Sequence, residues 1–255
     1  MIKKLIYDTI NHFMYSNPSI YFSFKPIKIF EFQQLIKDIT ISKNDVILDL
    51  GCGHGIPAVL IGKKCKKIYG IDVSKRAISS ARARGICLRH KVQTEFRCIR
   101  IENAGFKNNF FDKVFSICVL EHIPNYLEAL EEVYRILKRG GQFIFSVDSL
   151  EPIDDKKLIN FHRKECYIEK YFKKKELKQL LQKIGFKKIL IYPIFKSNYA
   201  INHYFKYLKM IKTPNTRQNL FRRLFFIYHY LKLKFQEARS VNTDKGLYLV
   251  IKCFK

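Results

Sequence analysis

The stretch of this sequence best suited to chemistry is Asp49-Leu-Gly-Cys-Gly-His-Gly55, three glycines at alternate positions after an apolar run closed by a carboxylate. Glycine lacks a Cβ, so such a turn lets backbone approach a ligand closely. The chain then enters a helix whose first turn tolerates Pro57, because no N–H is needed there. Dinucleotide sites read Gly-x-Gly-x-x-Gly and present a helix N-terminus to pyrophosphate. Here the third glycine comes one residue early, and Asp49 stands where its charge repels phosphate. The pattern suits a cationic ligand without phosphates. Seventeen residues past Gly55, Gly70-Ile-Asp-Val-Ser74 ends a second apolar run on Asp72, where a carboxylate can accept both hydroxyls of a ribose. Ser74 can cap the helix that follows.

Two further groups stand at the ends of later apolar runs. His122 in Glu121-His122 reads either as a base or substrate ligand, or as a helix-entry residue packed on Pro124. Asp148 either faces the same cleft or caps the next turn. His54 sits inside the glycine turn, where structural tolerance explains it; His162 and Tyr167 follow the fifth run, where a lid is expected.

These residues need a frame. Apolar runs bounded by turn signals occur at 46–50, 67–71, 93–98, 113–118 and 142–147, with helix candidates at 57–64, 74–84 and 125–138 between them. Strands alternating with helices predict a parallel sheet covered on both faces. In the third helix Asn125 can cap, Leu127, Leu130, Val133, Tyr134 and Leu137 form an apolar stripe, and Lys138, Arg139 and Gly140 close the end. Lys173 to Ile184 is a Lys-rich amphipathic helix ended by Gly185, followed by strands at 187–194 and 246–254.

Four blocks now stand in order. Val46-Ile-Leu-Asp-Leu-Gly-Cys-Gly-His-Gly55, Gly70-Ile-Asp-Val-Ser74, Phe106 to Asn125 with its Phe-Asp-Lys-Val and Leu-Glu-His, and Tyr134-Arg-Ile-Leu-Lys-Arg-Gly-Gly141 are similar to the motifs of class I S-adenosylmethionine-dependent methyltransferases. More narrowly, the chain resembles the type 11 methyltransferase domains, strongly over 44–150 and weakly over 170–195 and 246–255. The resemblance implies an α/β Rossmann-like fold: a seven-stranded, mostly parallel sheet with helices on both faces, a final antiparallel strand and a helical insertion before it. It implies S-adenosylmethionine as cofactor, which carries an amino group and a sulfonium and so fits Asp49. Cofactor contacts are expected at Asp49, Gly51, Cys52, Gly53, Gly55, Asp72, Val73, Glu102 and Cys118, with His122 and Asp148 as catalytic candidates. One position departs from the family. Where an acid usually holds the adenine amino group, this chain reads Arg100-Ile-Glu102-Asn-Ala-Gly-Phe106, so Glu102 after a loop shift, or the Ile101 backbone, takes that contact.

Composition bounds the rest. In 255 residues, 47% are hydrophobic and 15% aromatic, which excludes a disordered chain. The longest run without charge, Thr9 to Phe24, is broken by Asn11, His12, Asn17 and Pro18 and falls short of the ~20 apolar residues that span a bilayer. No signal peptide is expected, because Asp8, Asn11 and His12 interrupt any apolar core. Seven scattered cysteines argue against a disulfide framework and a clustered zinc site, so a cytoplasmic setting and no metal are expected. The formal charge of +26 attracts polyanions or anionic lipid, unless it reflects an A/T-rich genome. The expected division is a helical cap over 1–45, to which Tyr15–Tyr21 adds a wall, a cofactor-binding core over 46–150, and a remainder over 151–255. That remainder holds a lid (151–170) and a helical insertion (196–240) with ten Lys/Arg against the single acid Glu237. The expected activity is methyl transfer to a small-molecule, lipid-linked or saccharide acceptor, with peripheral membrane contact through 196–240. Two alternatives stay open. An RNA methyltransferase gains from the charge but lacks an Asn/Asp-Pro-Pro-Tyr motif after strand four, where Cys118-Val-Leu-Glu-His stands. A non-catalytic binding or membrane-surface module would retain the fold.

Overall fold

A computed structural model describes residues 26–88, 93–210, 220–240 and 243–255; the expected contribution of Tyr15–Tyr21 lies outside them. The described chain runs α1 (Pro26–Ile36), β1 (Val46–Leu50), α2 (Ile56–Gly62), β2 (Lys67–Asp72), α3 (Lys75–Leu88), β3 (Gln93–Cys98), β4 (Phe111–Ile117), α4 (Tyr126–Ile136) and β5 (Leu137–Asp148). It continues through α5 (Lys156–Cys166), α6 (Lys174–Ile184), β6 (Lys187–Ile194), α7 (Asn198–Met210), α8 (Leu220–Arg239) and β7 (Tyr248–Phe254).

The seven strands form one sheet in the order β3-β2-β1-β4-β5-β7-β6. β1 to β5 pair in parallel, and β7 runs antiparallel between β5 and β6. Alternation along each strand divides the core in two. Ile47, Ile68, Phe115, Ile144 and Val250 face one layer, with α1, α2, α3, α7 and α8. Leu48, Ile71, Val114, Phe143, Phe145, Leu249 and Ile251 face the other, with α4 and α6. Strands buried on both faces explain why β1, β4 and β5 read as nearly continuous apolar runs.

Three local expectations are corrected. The helix expected over 125–138 ends at Ile136: Leu137 is already extended (ψ 139°), and Gly140 and Gly141 exchange backbone hydrogen bonds with Lys255. Lys138 to Gly141 therefore open β5 instead of closing α4. Leu127, assigned to the apolar stripe, is 44% exposed, while Ala129, Leu130, Val133 and Ile136 are buried. Asn125 precedes α4 without a side-chain cap, whereas Ser74 Oγ does accept from Ala77 N (3.2 Å). α6 ends at Gly185, as the sequence predicts, in the left-handed region (φ 116°).

Candidate active site

In an open parallel sheet, ligands bind beyond the carboxyl ends of the strands where the strand order reverses. Here that point lies between β1 and β4, and a cavity of about 560 Å³ opens there, within the size range of small-molecule sites. Its walls come from the β1–α2 turn, the ends of β4 and β5, and α1, α5 and α7, with Tyr248 from β7.

The β1–α2 turn forms one end. Gly51 N and Cys52 N both donate to Ile71 O (2.8 and 3.0 Å), which ties the turn to β2. Asp72 then organises it: Oδ2 accepts from Gly53 N (2.9 Å) and Oδ1 from Ser74 N (2.8 Å). Gly53 has φ +50°, and a Cβ built on it would meet no atom of the described residues within 4 Å. The turn therefore presents bare backbone to open space. Beneath it Asp49 is buried, and its Oδ2 has no hydrogen-bond partner among the described residues. Burial pushes its carboxyl up to about 8, opposed by the Ala58 backbone N–H and reinforced by the charge of Asp72. A buried carboxylate in that state gains from a cationic partner.

The other end is a buried polar network. Ser146 Oγ and Cys118 Sγ donate to Glu31 Oε1 (2.6 and 2.9 Å), and Lys28 Nζ donates to Glu31 Oε2 (2.9 Å) and to Cys118 Sγ (3.3 Å). Burial works against the Lys28 ammonium, but Cys118, Glu31 and Asp148 together hold its pKa well above the ordinary lysine value. Asp148 lies beside this group, its carboxyl raised to about 7 by burial, with Lys28 opposing and Glu31 adding to the shift. Antiparallel pairing with β7 sets Tyr248 across from it. His162 is fully buried between Tyr171 OH at Nδ1 (2.9 Å) and Tyr204 OH at Nε2 (2.5 Å). Burial, with His122 and Lys28, lowers its pKa to about 4, so its 3.5 Å approach to Asp148 Oδ2 is not an ion pair at neutral pH. Glu121 is buried near Asp148 with both carboxylate oxygens unpartnered among the described residues, and burial and Asp148 raise its pKa well above the usual range. Donor atoms of Cys118, Glu121 and Asp148 lie within 4.8 Å of one another, a spacing that could also hold a cation.

Comparison with known proteins now bears on this geometry. Residues 48–145 match the model of a family described as a methyltransferase domain. Those residues carry a methyltransferase domain. Over 107 residues it is 36% identical to a ubiquinone biosynthesis O-methyltransferase of Alkalilimnicola ehrlichii, covering 42% of each chain. Over 161 residues it is 32% identical to the arsenite methyltransferase of Mus musculus, covering 56% of this chain and 42% of that one. Among solved structures it resembles a Haemonchus contortus phosphoethanolamine N-methyltransferase 2 in complex with phosphomonomethylethanolamine and S-adenosylhomocysteine. That likeness, with a TM-score of 0.62 at 15% identity over 91% of this chain and 58% of the other, is one of fold. The chain spans about half the length of the curated relatives it matches.

Around the methyltransferase domain the fold brings Asp49, Gly51, Cys52, Gly53, Cys118, His122 and Asp148 onto one cavity. Gly55, Asp72, Val73 and Glu102 lie off its wall. Gly55 faces Ala81 on α3, Asp72 sits behind the turn it holds, Val73 is 67% exposed past β2, and Glu102 is half-buried in a 3-10 turn at Ile101–Asn103. His122 is exposed at the cavity rim, and its Nδ1 donates to the Tyr167 carbonyl (3.1 Å). His54 also lines the cavity. His162 and Tyr167, read together as lid residues, part company: the first is inside the network, the second 84% exposed. Sequence reasoning missed Lys28, Glu31, Tyr204 and Tyr248. Glu31 had a signal, being the lone acid on the otherwise largely apolar Pro26–Ile36 helix.

Proposed function

We propose that this chain transfers a methyl group from S-adenosylmethionine to a small-molecule acceptor, lipid-linked and saccharide compounds included. The observation that carries the reading is Asp49: a buried carboxylate with an unpartnered oxygen, beneath a glycine turn open to the cavity. When bound, the cofactor supplies an electrophilic methyl on a cationic sulfur. Asp49 meets the positive charge, Gly51 to Gly53 give backbone close to the ligand, and Asp72 accepts the ribose hydroxyls on lone pairs left by Gly53 and Ser74. Val73, Gly55 and Glu102 complete the adenosine side.

At the other end the residues position the acceptor and hold its proton. Asp148, raised to about 7, is poised near neutral pH to take a proton from an acceptor hydroxyl or amine. His122, held at the rim by its bond to the Tyr167 carbonyl, orients the acceptor there. Positioning accounts for most of the expected acceleration, since displacement at a sulfonium carbon needs no covalent enzyme intermediate. Calorimetry with S-adenosylhomocysteine, followed by transfer of labelled methyl into extracted small-molecule and lipid pools, tests the proposal. Expected are saturable binding lost in Gly53→Val and label in an extractable compound. Binding without turnover on any pool would favour the non-catalytic module, and label found only in RNA would overturn the acceptor class.

A further inference from the structure

The helical insertion presents a face that neither the fold nor the catalytic proposal uses. α8 turns Leu233 and Glu237 inward, both buried. Glu237 accepts from Lys196 N, Ser197 N and Ser197 Oγ (2.8–3.1 Å) and so holds the start of α7. Tyr230 OH meets Gln33 on α1. The opposite side carries Tyr228, Leu231 and Phe235, which are 56, 59 and 53% exposed. At ~100° per residue these three fall within an arc of about 60°. Lys234 flanks the arc on one side, Lys232 and Arg239 on the other. Arg239 lies 4.2 Å over the Phe235 ring, and Lys232 5.5 Å over that of Tyr228. In sequence, residues 196–240 hold ten Lys/Arg against the single acid Glu237, and that acid is buried.

We infer that this face of α8 docks on an anionic membrane. An apolar strip bordered on both sides by cations matches a bilayer surface, with the strip in the acyl boundary and the cations among phosphates. A 20-residue helix lying in that plane reaches about 30 Å, long enough to engage several headgroups. Nucleic acid fits less well, because Leu231, at one edge of the arc, offers no stacking surface. Docking also bears on access. α8 packs on α1, which brings Lys28 and Glu31 to the buried network, and holds α7, which supplies His203, Tyr204 and Leu208 to the cavity wall. Resting on the methyl-transfer proposal, the acceptor class then narrows to amphiphiles whose apolar part stays in the bilayer; the docking itself is independent of catalysis.

The test is co-sedimentation of the full chain with vesicles of equal parts phosphatidylglycerol and phosphatidylcholine, against phosphatidylcholine alone, at low and high salt. Binding to the anionic vesicles alone, weakened by salt, is expected. Changing Lys232, Lys234 and Arg239 each to Gln should weaken it about fivefold per residue, roughly a hundredfold together. Leu231→Asp and Phe235→Asp should abolish it with an unchanged thermal midpoint, since both side chains are more than half exposed. Absence of anionic-vesicle binding, binding that survives both Asp variants, or retention only of RNA, with log affinity linear in log salt, would each overturn the inference. Vesicle binding with no methyl transfer would leave the docking intact and fail the catalytic proposal.

Discussion

Gly53 separates fold from ligand binding more cleanly than any other position in the turn. Its φ of +50° costs an L residue about 1–2 kcal/mol, and a Cβ there touches no atom of the described residues within 4 Å. For a chain of this length each kcal/mol moves the thermal midpoint by about 2–4 °C, so Gly53→Ala should lower it by roughly 2–8 °C and leave the fold cooperative. Ligand affinity should suffer more. The new methyl occupies the space in which backbone meets the cofactor, and forfeiting one or two charge-assisted hydrogen bonds costs about 2–4 kcal/mol, roughly 30- to 1,000-fold in Kd. Gly55→Ala is the contrast: its Cβ would stand 2.8 Å from Ala81 Cβ and 3.0 Å from Ala81 Cα, so helix backbone must move and stability should fall with affinity. Thermal melts by circular dichroism and calorimetry with S-adenosylhomocysteine read both quantities. If Gly53→Ala binds within twofold of the parent, the turn is not the cofactor site; if it melts as low as Gly55→Ala, the open space over residue 53 has been misjudged.

Asp72→Ala should weaken cofactor binding by on the order of 2–4 kcal/mol and speed amide exchange at Gly53, whose N–H it holds, while Asp72→Asn keeps part of both; affinity within twofold would disprove the ribose assignment. For Asp49 the native state keeps a proton that the unfolded chain releases, because the carboxyl is raised from 3.8 to about 8, so its burial costs stability as pH rises through that window. Asp49→Asn should therefore be more stable than the parent in urea at pH 8, lose that advantage near pH 4, and bind cofactor poorly; equal midpoints at both pH values would contradict the burial argument. Methyl transfer should rise through a pH of about 7 as Asp148 loses its proton, and Asp148→Asn should remove that limb with cofactor affinity retained; an unchanged profile would exclude Asp148 as the base.

How much of this was legible in sequence depends on how far each feature reaches along the chain. Strand and helix identity, the glycine turn and the acid ending β2 are local: period, turn chemistry and one charge at a strand end declare themselves within a dozen residues. The boundary between α4 and β5 was misplaced, because Lys-Arg-Gly-Gly carries helix-ending chemistry while the pairing of Gly140 and Gly141 with Lys255 is set by a partner 114 residues or more away. The same holds for Leu127, which fits the helical period yet faces out since α4 is covered on one side only.

By itself, then, the sequence determined the order of the elements, the seven strands of the sheet and the glycine-turn end of the cavity, where Asp49, Gly51 and Gly53 are neighbours in chain as well as in space. Tertiary structure alone decided the acceptor end. Lys28 and Glu31 from α1, Cys118 after β4, Ser146 and Asp148 from β5, His162 from α5, Tyr204 from α7 and Tyr248 from β7 are spread over 221 positions and share no local pattern. Their burial, and with it the raised pKa of Asp148 and the lowered pKa of His162, arises from packing of distant elements around one cavity. Desolvation is a property of the surrounding volume, which a linear pattern of residue types does not encode.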